Sequence, residues 1–167
     1  YISTVEDLAV LKRVIVQNVS PQGMAVLNAS DPMVAAMAAN CPGQVTFFAV
    51  DPHHPVLATH RAQGKRVLYV QDGHIVAQES TQQVRISLSE VPLTQNGAIG
   101  FQVENVMASI GAAWAVNLSW ATICHGLSTF ISDTQAVPGR FNMFSYKGAT
   151  VIADYGHNPD AMTALVD

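Results

Sequence analysis

Cysteine, charge and long apolar runs are all scarce in this chain of 167 residues. Its two cysteines, Cys41 and Cys124, are too few and too far apart for a disulfide framework or a zinc site, and neither belongs to a Cys-x-x-Cys pair. Buried thiols in a reducing cytosol are the expectation they leave. Charged residues make up 12% of the chain, with Lys and Arg numbering 8 against 12 Asp and Glu and a formal net charge of -4. That excludes a basic stripe for nucleic acid and a polybasic membrane anchor. No apolar run approaches the roughly 20 residues of a membrane helix, and the opening Y-I-S-T-V-E-D-L is not a signal peptide. A G-x-x-x-x-G-K-S/T loop is also missing, so these residues do not cradle a triphosphate by themselves in that way. The chain has no initiating Met, opens in the lead-in to a helix and stops inside another, which reads as an internal fragment of a longer protein.

What is present is 49% hydrophobic, a composition that expects to bury much of itself. The pattern alternates helix and strand. Ser3 or Thr4 can cap a first helix with Glu6 and Asp7 in its first turn, and Leu8, Leu11, Ile15 and Val19 recur at helical spacing as its apolar face. Met24 to Leu27 reads as a strand, Asp31-Pro32 opens a helix over Met33 to Ala39, and Val45 to Val50 is an uninterrupted apolar strand of the kind covered on both faces in a parallel sheet. Asp51 to Gln63, with three His and two Pro, reads as an irregular connection. His53, His54 and His60 match no zinc spacing and read as loop residues. Lys65 to Val70, Ile75 to Gln78 and Val84 to Ser89 are shorter strands, the first two joined by the hairpin signal Asp72-Gly73. From Val103 the pattern turns helical, with Val106, Ile110, Ala113 and Trp114 as a stripe and Gly111 permitting close backbone packing; Ala121 to Phe130 is a second helix. Val137-Pro138-Gly139 is the clearest boundary, giving pieces 1–137 and 138–167. Beyond it, strands over Phe141 to Tyr146 and Thr150 to Asp154 are linked by Lys147-Gly148, and Asp160 opens a last helix.

Residues 137–161, V-P-G-R-F-N-M-F-S-Y-K-G-A-T-V-I-A-D-Y-G-H-N-P-D-A, hold the densest chemistry. Arg140 sits on a Pro-Gly turn, where a planar fork can grip two phosphate oxygens or, as a surface residue, pair with an acid. Asp154 ends an apolar strand, at the place where ligands of open α/β sheets collect, or else caps a helix. Tyr155, His157 and Asn158 follow at once; His157 suits nucleoside contact or a structural turn equally. Asn105, after Phe101-Gln102-Val103-Glu104, offers an amide that complements the N6 and N7 edge of adenine, although a helix N-cap has the same appearance.

The G-R-F turn followed by D-Y-G-H-N-P-D resembles the entry to the C-terminal domain of the Mur ligase superfamily, whose members carry G-R-F/M-E and then D-Y-A-H-N/T-P-D. The resemblance runs in order along nearly the whole chain. It implies an α/β fold made of the C-terminal half of a Mur ligase-like central ATP-binding domain, 1–137, plus the start of an α/β C-terminal domain, 138–167. It implies that Arg140 contacts ATP phosphates, that Asp154 accepts from the ribose with His157 and Asn158 beside it, and that Asn105 reads adenine. Lys12, in D-L-A-V-L-K-R-V, aligns with a helix lysine that many of these ligases carbamylate to hold magnesium; a snorkelling surface lysine has the same sequence. Asn28 to Pro32, N-A-S-D-P, resembles their N-A-D-D-P segment. ATP and Mg²⁺ are the implied cofactors, with the P-loop and magnesium ligands expected upstream of Tyr1.

One residue departs from the pattern: Asn142 stands where most members have Glu. The P-G-R-F-N form resembles the branch that couples ATP cleavage to joining arginine onto a polyaspartate backbone. It implies a cytoplasmic amide ligase with arginine, aspartate and a polymer primer as partners, and leaves a homo-oligomer of the full-length enzyme open. Other Mur-type ligases, of peptidoglycan precursors or folylpolyglutamate, and a non-catalytic nucleotide-binding piece are the alternatives.

Overall fold

A computed structural model describes residues 3–156 and 159–166. The chain divides into two compact units, Tyr1–Ser128 and Thr129–Asp167. The boundary expected after residue 137 falls inside the second of them.

The first unit is built on a five-stranded sheet in the order β1-β2-β3-β4-β5. Strands β1 (Met24–Asn28), β2 (Gln44–Phe48) and β3 (Val67–Gln71) run parallel, whereas β4 (His74–Glu79) and β5 (Gln82–Ser87) turn back antiparallel. The uninterrupted apolarity of β2 matches its position between two parallel neighbours, with Phe47, Phe48 and the following Ala49 all buried. Asp72 and Gly73, at φ 50 and 70, make the two-residue turn that sets Gln71 opposite His74.

Helices cover both faces. On one face α4 (Gly100–Ala115) buries Val103, Val106, Met107 and Ile110, and α5 (Trp120–Thr129) adds Ile123. Gly111 lets α4 approach β1 so closely that a Cβ there would lie 2.6 Å from Val26 Cγ1. On the other face lie α1 (Val5–Gln17), α2 (Pro32–Ala36) with its 3-10 continuation Met37–Asn40, and α3 (Pro55–Ala62), over a second cluster that includes Leu57, Val67 and Tyr69. Thr4 caps α1 through a reciprocal bond pair with Asp7, and Asp31 caps α2 by accepting from the N–H groups of Met33 and Val34.

Four sequence expectations are corrected here. Leu8, Leu11 and Ile15 are exposed, Ile15 by 71%; α1 covers the core with Val16 and Ala9 instead, and of the expected face only Val19, just past the helix end, packs inward. The helix is apolar on almost every side, so spacing identifies a face without saying which one is covered. The irregular connection at 51–63 is largely α3, opened by Pro55 at its first turn and anchored by Leu57 and His60 at i, i+3. His60 is therefore no loop residue. It is 8% exposed, its Nε2–H donates to Val45 O at 2.7 Å, and its ring stands edge-on to Phe47. Burial pulls its pKa below the ordinary 6.5; the Val45 bond opposes that shift and the charge of Lys65 adds to it. Both thiols are free but only half-buried.

The second unit contains the ribbon β6 (Asn142–Tyr146) and β7 (Ala149–Ala153), paired antiparallel across Lys147-Gly148, and α6 (Pro159–Val166).

Candidate functional site

The polar groups singled out in the sequence fall into two sets, one in each unit. In the second unit the turn from Val137 to Asn142 is held mainly by side chains. Asn142, the first residue of β6, is 1% exposed and turns its amide inward. Its Oδ1 accepts from Gly139 N–H at 2.7 Å, and its Nδ2 donates to Val137 O at 3.1 Å and to Arg140 O at 3.4 Å. Ser132 Oγ donates to the same Arg140 carbonyl at 2.8 Å. From the far end of the ribbon, Tyr155 N–H donates to Gly139 O at 2.8 Å and Asp154 Oδ2 accepts from Phe141 N–H at 2.8 Å. Gly139 and Phe141 have φ of 70 and 50; the left-handed geometry is ordinary for the first and strained for a bulky second residue.

Arg140 is exposed and forms no ion pair among the described residues; its guanidinium lies 5.9 Å from the centre of the Tyr155 ring. Among the described residues no acid supports the surface-pairing alternative for this arginine. Among the described residues no helix N–H donates to Asp154. One of its oxygens serves the Phe141 N–H, and among the described residues none donates to the other. Among the described residues the ribbon therefore presents a cation with no ion pair, a carboxylate oxygen with no donor and an exposed Tyr155, 68% accessible, around one turn. That donor and acceptor set fits a phosphate on one side and a sugar hydroxyl on the other. His157 and Asn158 lie outside the described residues.

In the first unit, Asn105 is the sixth residue of α4, whose N-cap is Ile99, so the capping alternative falls. The helix starts earlier than Val103 because the preceding turn at Thr94 feeds directly into it: Thr94 O accepts from both Gly97 and Ile99. Asn105 is exposed, and its Nδ2 donates to Gln102 Oε1 at 3.2 Å, which orients the amide. One residue before it, Glu104 accepts from Asn28 Nδ2 at 3.4 Å, tying α4 to the carboxyl end of β1. This is the edge of an α/β sheet at which ligands gather. Asn28 Oδ1 also accepts from Ser30 N–H, so N-A-S-D-P is a turn closed by its own first residue.

Lys12 is exposed on α1. Among the described residues no group of three His, Cys, Asp or Glu side chains is placed to hold a metal ion. Sequence reasoning noticed Asn142 only as a departure from a pattern. Its organising role was signalled by a polar residue beginning an otherwise exposed apolar strand directly after Gly-Arg-Phe. The tie of Glu104 to Asn28 carried no sequence signal, because it depends on how α4 is docked, whereas that of Gln102 to Asn105 follows from their i, i+3 spacing on one helix.

Comparison with known proteins adds an independent line. The family description "Mur ligase middle domain" matches residues 1–113. The chain is 35% identical over 168 residues to a cyanophycin synthetase of Synechocystis sp., covering 99% of this chain and 19% of that protein. It is 31% identical over 161 residues to a UDP-N-acetylmuramoylalanine--D-glutamate ligase of Desulfitobacterium hafniense, covering 95% of this chain and 32% of the other. Among solved structures, MurF from Acinetobacter baumannii superposes with a TM-score of 0.62 at 20% identity over 98% of this chain and 32% of its own. The chain thus spans about a fifth to a third of the length of the curated relatives it matches.

Proposed function

The chain belongs to the Mur ligase middle-domain family, and from that premise we propose that it is the nucleotide-engaging part of an ATP-dependent amide ligase of the cyanophycin synthetase kind. The reaction joins arginine to the β-carboxylate of a polyaspartate backbone. A carboxylate oxygen attacks the γ-phosphorus of ATP and ADP leaves; the α-amino group of arginine then attacks the acyl carbon, and inorganic phosphate departs with that oxygen. Such chemistry needs cations at the phosphates and a fixed nucleoside.

Arg140 supplies the fork for phosphate oxygens, Asp154 the acceptor for a ribose hydroxyl, and Asn105 an oriented amide for the adenine edge. His157 and Asn158 belong to the same nucleoside contact. The observation that carries this reading is the P-G-R-F-N turn. It holds an arginine with no ion pair among the described residues beside a carboxylate with an oxygen to spare. Similarity over 99% of the chain to a protein named cyanophycin synthetase supports the choice of arginine and a polymer primer. Mg²⁺ accompanies ATP in this reading, although the residues described here form no complete site for it. The cytoplasm is the compartment it implies.

The test uses the full-length protein with ATP, Mg²⁺, arginine and a polyaspartate-based primer. Phosphate release that requires both arginine and primer is the expected result. Turnover only with a UDP-N-acetylmuramoyl substrate would move the chain to the peptidoglycan branch, which the Desulfitobacterium relative represents. ATP binding without turnover on either would leave a nucleotide-binding scaffold.

A further inference from the structure

We propose that Asn142 is a positioning residue for Arg140: its buried amide sets the backbone from which the guanidinium projects, and thereby the strength with which the chain engages nucleotide phosphates. This role rests on the phosphate reading of Arg140 given above.

Asn142 is 1% exposed in a ribbon whose other described strand residues are exposed. Burying an amide is unfavourable unless its donors and acceptor are all used. Here they are: one oxygen takes Gly139 N–H and one nitrogen serves Val137 O and Arg140 O, at 2.7, 3.1 and 3.4 Å. An apolar side chain of similar size would fill the space without that desolvation. It would also remove an anchor from the backbone on each side of Arg140. The carbonyl of Arg140 is held a second time by Ser132, and Asp154 fixes the N–H of Phe141, whose φ of 50 reverses the chain directly after the arginine.

None of these bonds uses the guanidinium. The backbone of Arg140 is fixed while its charge forms no ion pair among the described residues, an arrangement a merely solvated arginine would not need. A long side chain grips two phosphate oxygens well only when its Cα is already in place. Asn142 therefore acts through Arg140 and touches no reacting atom itself.

The experiment is a double-mutant cycle in the full-length enzyme, with Arg140→Lys, Asn142→Ala and both together. Readouts are kcat/KM for ATP, KM for arginine, and the melting temperature. Asn142→Ala is expected to lower kcat/KM for ATP by about 10- to 100-fold, the effect of slight misplacement of a reacting contact, with KM for arginine unchanged. Coupled residues are not additive, so the double variant should fall no more than about twofold below Arg140→Lys. If Arg140→Lys turns over normally, the phosphate reading itself fails. If Arg140→Lys is crippled while Asn142→Ala is normal, or the two losses multiply, the phosphate reading stands and the positioning role is overturned. Should Asn142→Ala fail to fold, Ser132→Ala decides. It removes the other hold on the Arg140 carbonyl from a half-buried site. A smaller, non-additive loss in that variant supports the role, and wild-type kinetics overturn it.

Discussion

Arg140 carries its charge on an exposed turn with no acid paired to it among the described residues, so substituting it separates chemistry from folding. Arg140→Lys keeps the charge and loses the bidentate fork. In the full-length enzyme, steady-state arginine incorporation should fall by about 10² to 10³, as when one charge-stabilising donor is removed from an active site. Thermal melts should place the stability change within about 0.5 kcal/mol, as for an ordinary surface substitution. Asn105→Asp asks the same question of the adenine contact. Because Asn105 lies inside α4 and is exposed, no cap is lost, and the change replaces an amide donor with a charged acceptor. A raised KM for ATP at an unchanged melting temperature is expected; an unchanged KM would remove Asn105 from the site. His60 makes a different prediction, about pH. Its folded pKa lies below the 6.5 of the unfolded chain, first because it is buried. As pH falls through about 6.5 the unfolded state takes up a proton that the folded state resists, so stability present above that pH is lost below it, down to the lowered folded pKa. Urea midpoints measured from about pH 8 to 5 should therefore decline for the wild type, and more shallowly for His60→Gln. Equal slopes would show that His60 does not govern the decline.

At the scale of elements, the contact of α4 on β1 is the tightest test of the fold. Alanine at position 111 would gain about 1 kcal/mol of helix propensity over glycine. Its Cβ, however, would press on Val26 Cγ1 at 2.6 Å and Leu68 Cδ1 at 3.4 Å, and overpacking of this kind costs about 1–3 kcal/mol. Val26 is β-branched and cannot swing aside. Gly111→Ala should lower the melting temperature, and a rise would mean that α4 stands further from the sheet. This close approach was legible in the sequence, as were the strands, the Asp72-Gly73 hairpin and the turn that carries Arg140, because each depends on local spacing or a turn residue. Helix α3 was not, since histidines and prolines hid a short helix whose buried residues are only Leu57 and His60. The covered side of α1 was not either, because small Ala9 rather than large Leu8 and Leu11 packs against the core. At the site, residue types were readable and their partners were not. The bond from Phe141 to Asp154 spans 13 positions and exists only once β6 and β7 have paired.

On the scale of the whole chain, these 167 residues contain no P-loop motif. Expressed alone, they should release no arginine-dependent phosphate from ATP and bind nucleotide weakly at best. Arginine-dependent release from the purified chain would overturn that expectation. Handling the chain in this form brings one practical matter to the front. Val5, Leu8, Val10, Leu11, Val14 and Ile15 of α1 are each at least 40% exposed, which puts six apolar side chains in solvent on one helix of a molecule with few charges to keep copies apart. Sedimentation should show concentration-dependent association that Leu11→Glu together with Ile15→Lys abolishes. Sulfate, which strengthens apolar association, should bring the chain out of solution earlier than chloride does. Melting temperatures recorded on it will then shift with protein concentration, since whatever binds the folded form alone raises its apparent stability. Two variants are comparable only at matched dilution, and a substitution on α1 can alter a melting curve without touching the interior of the fold at all.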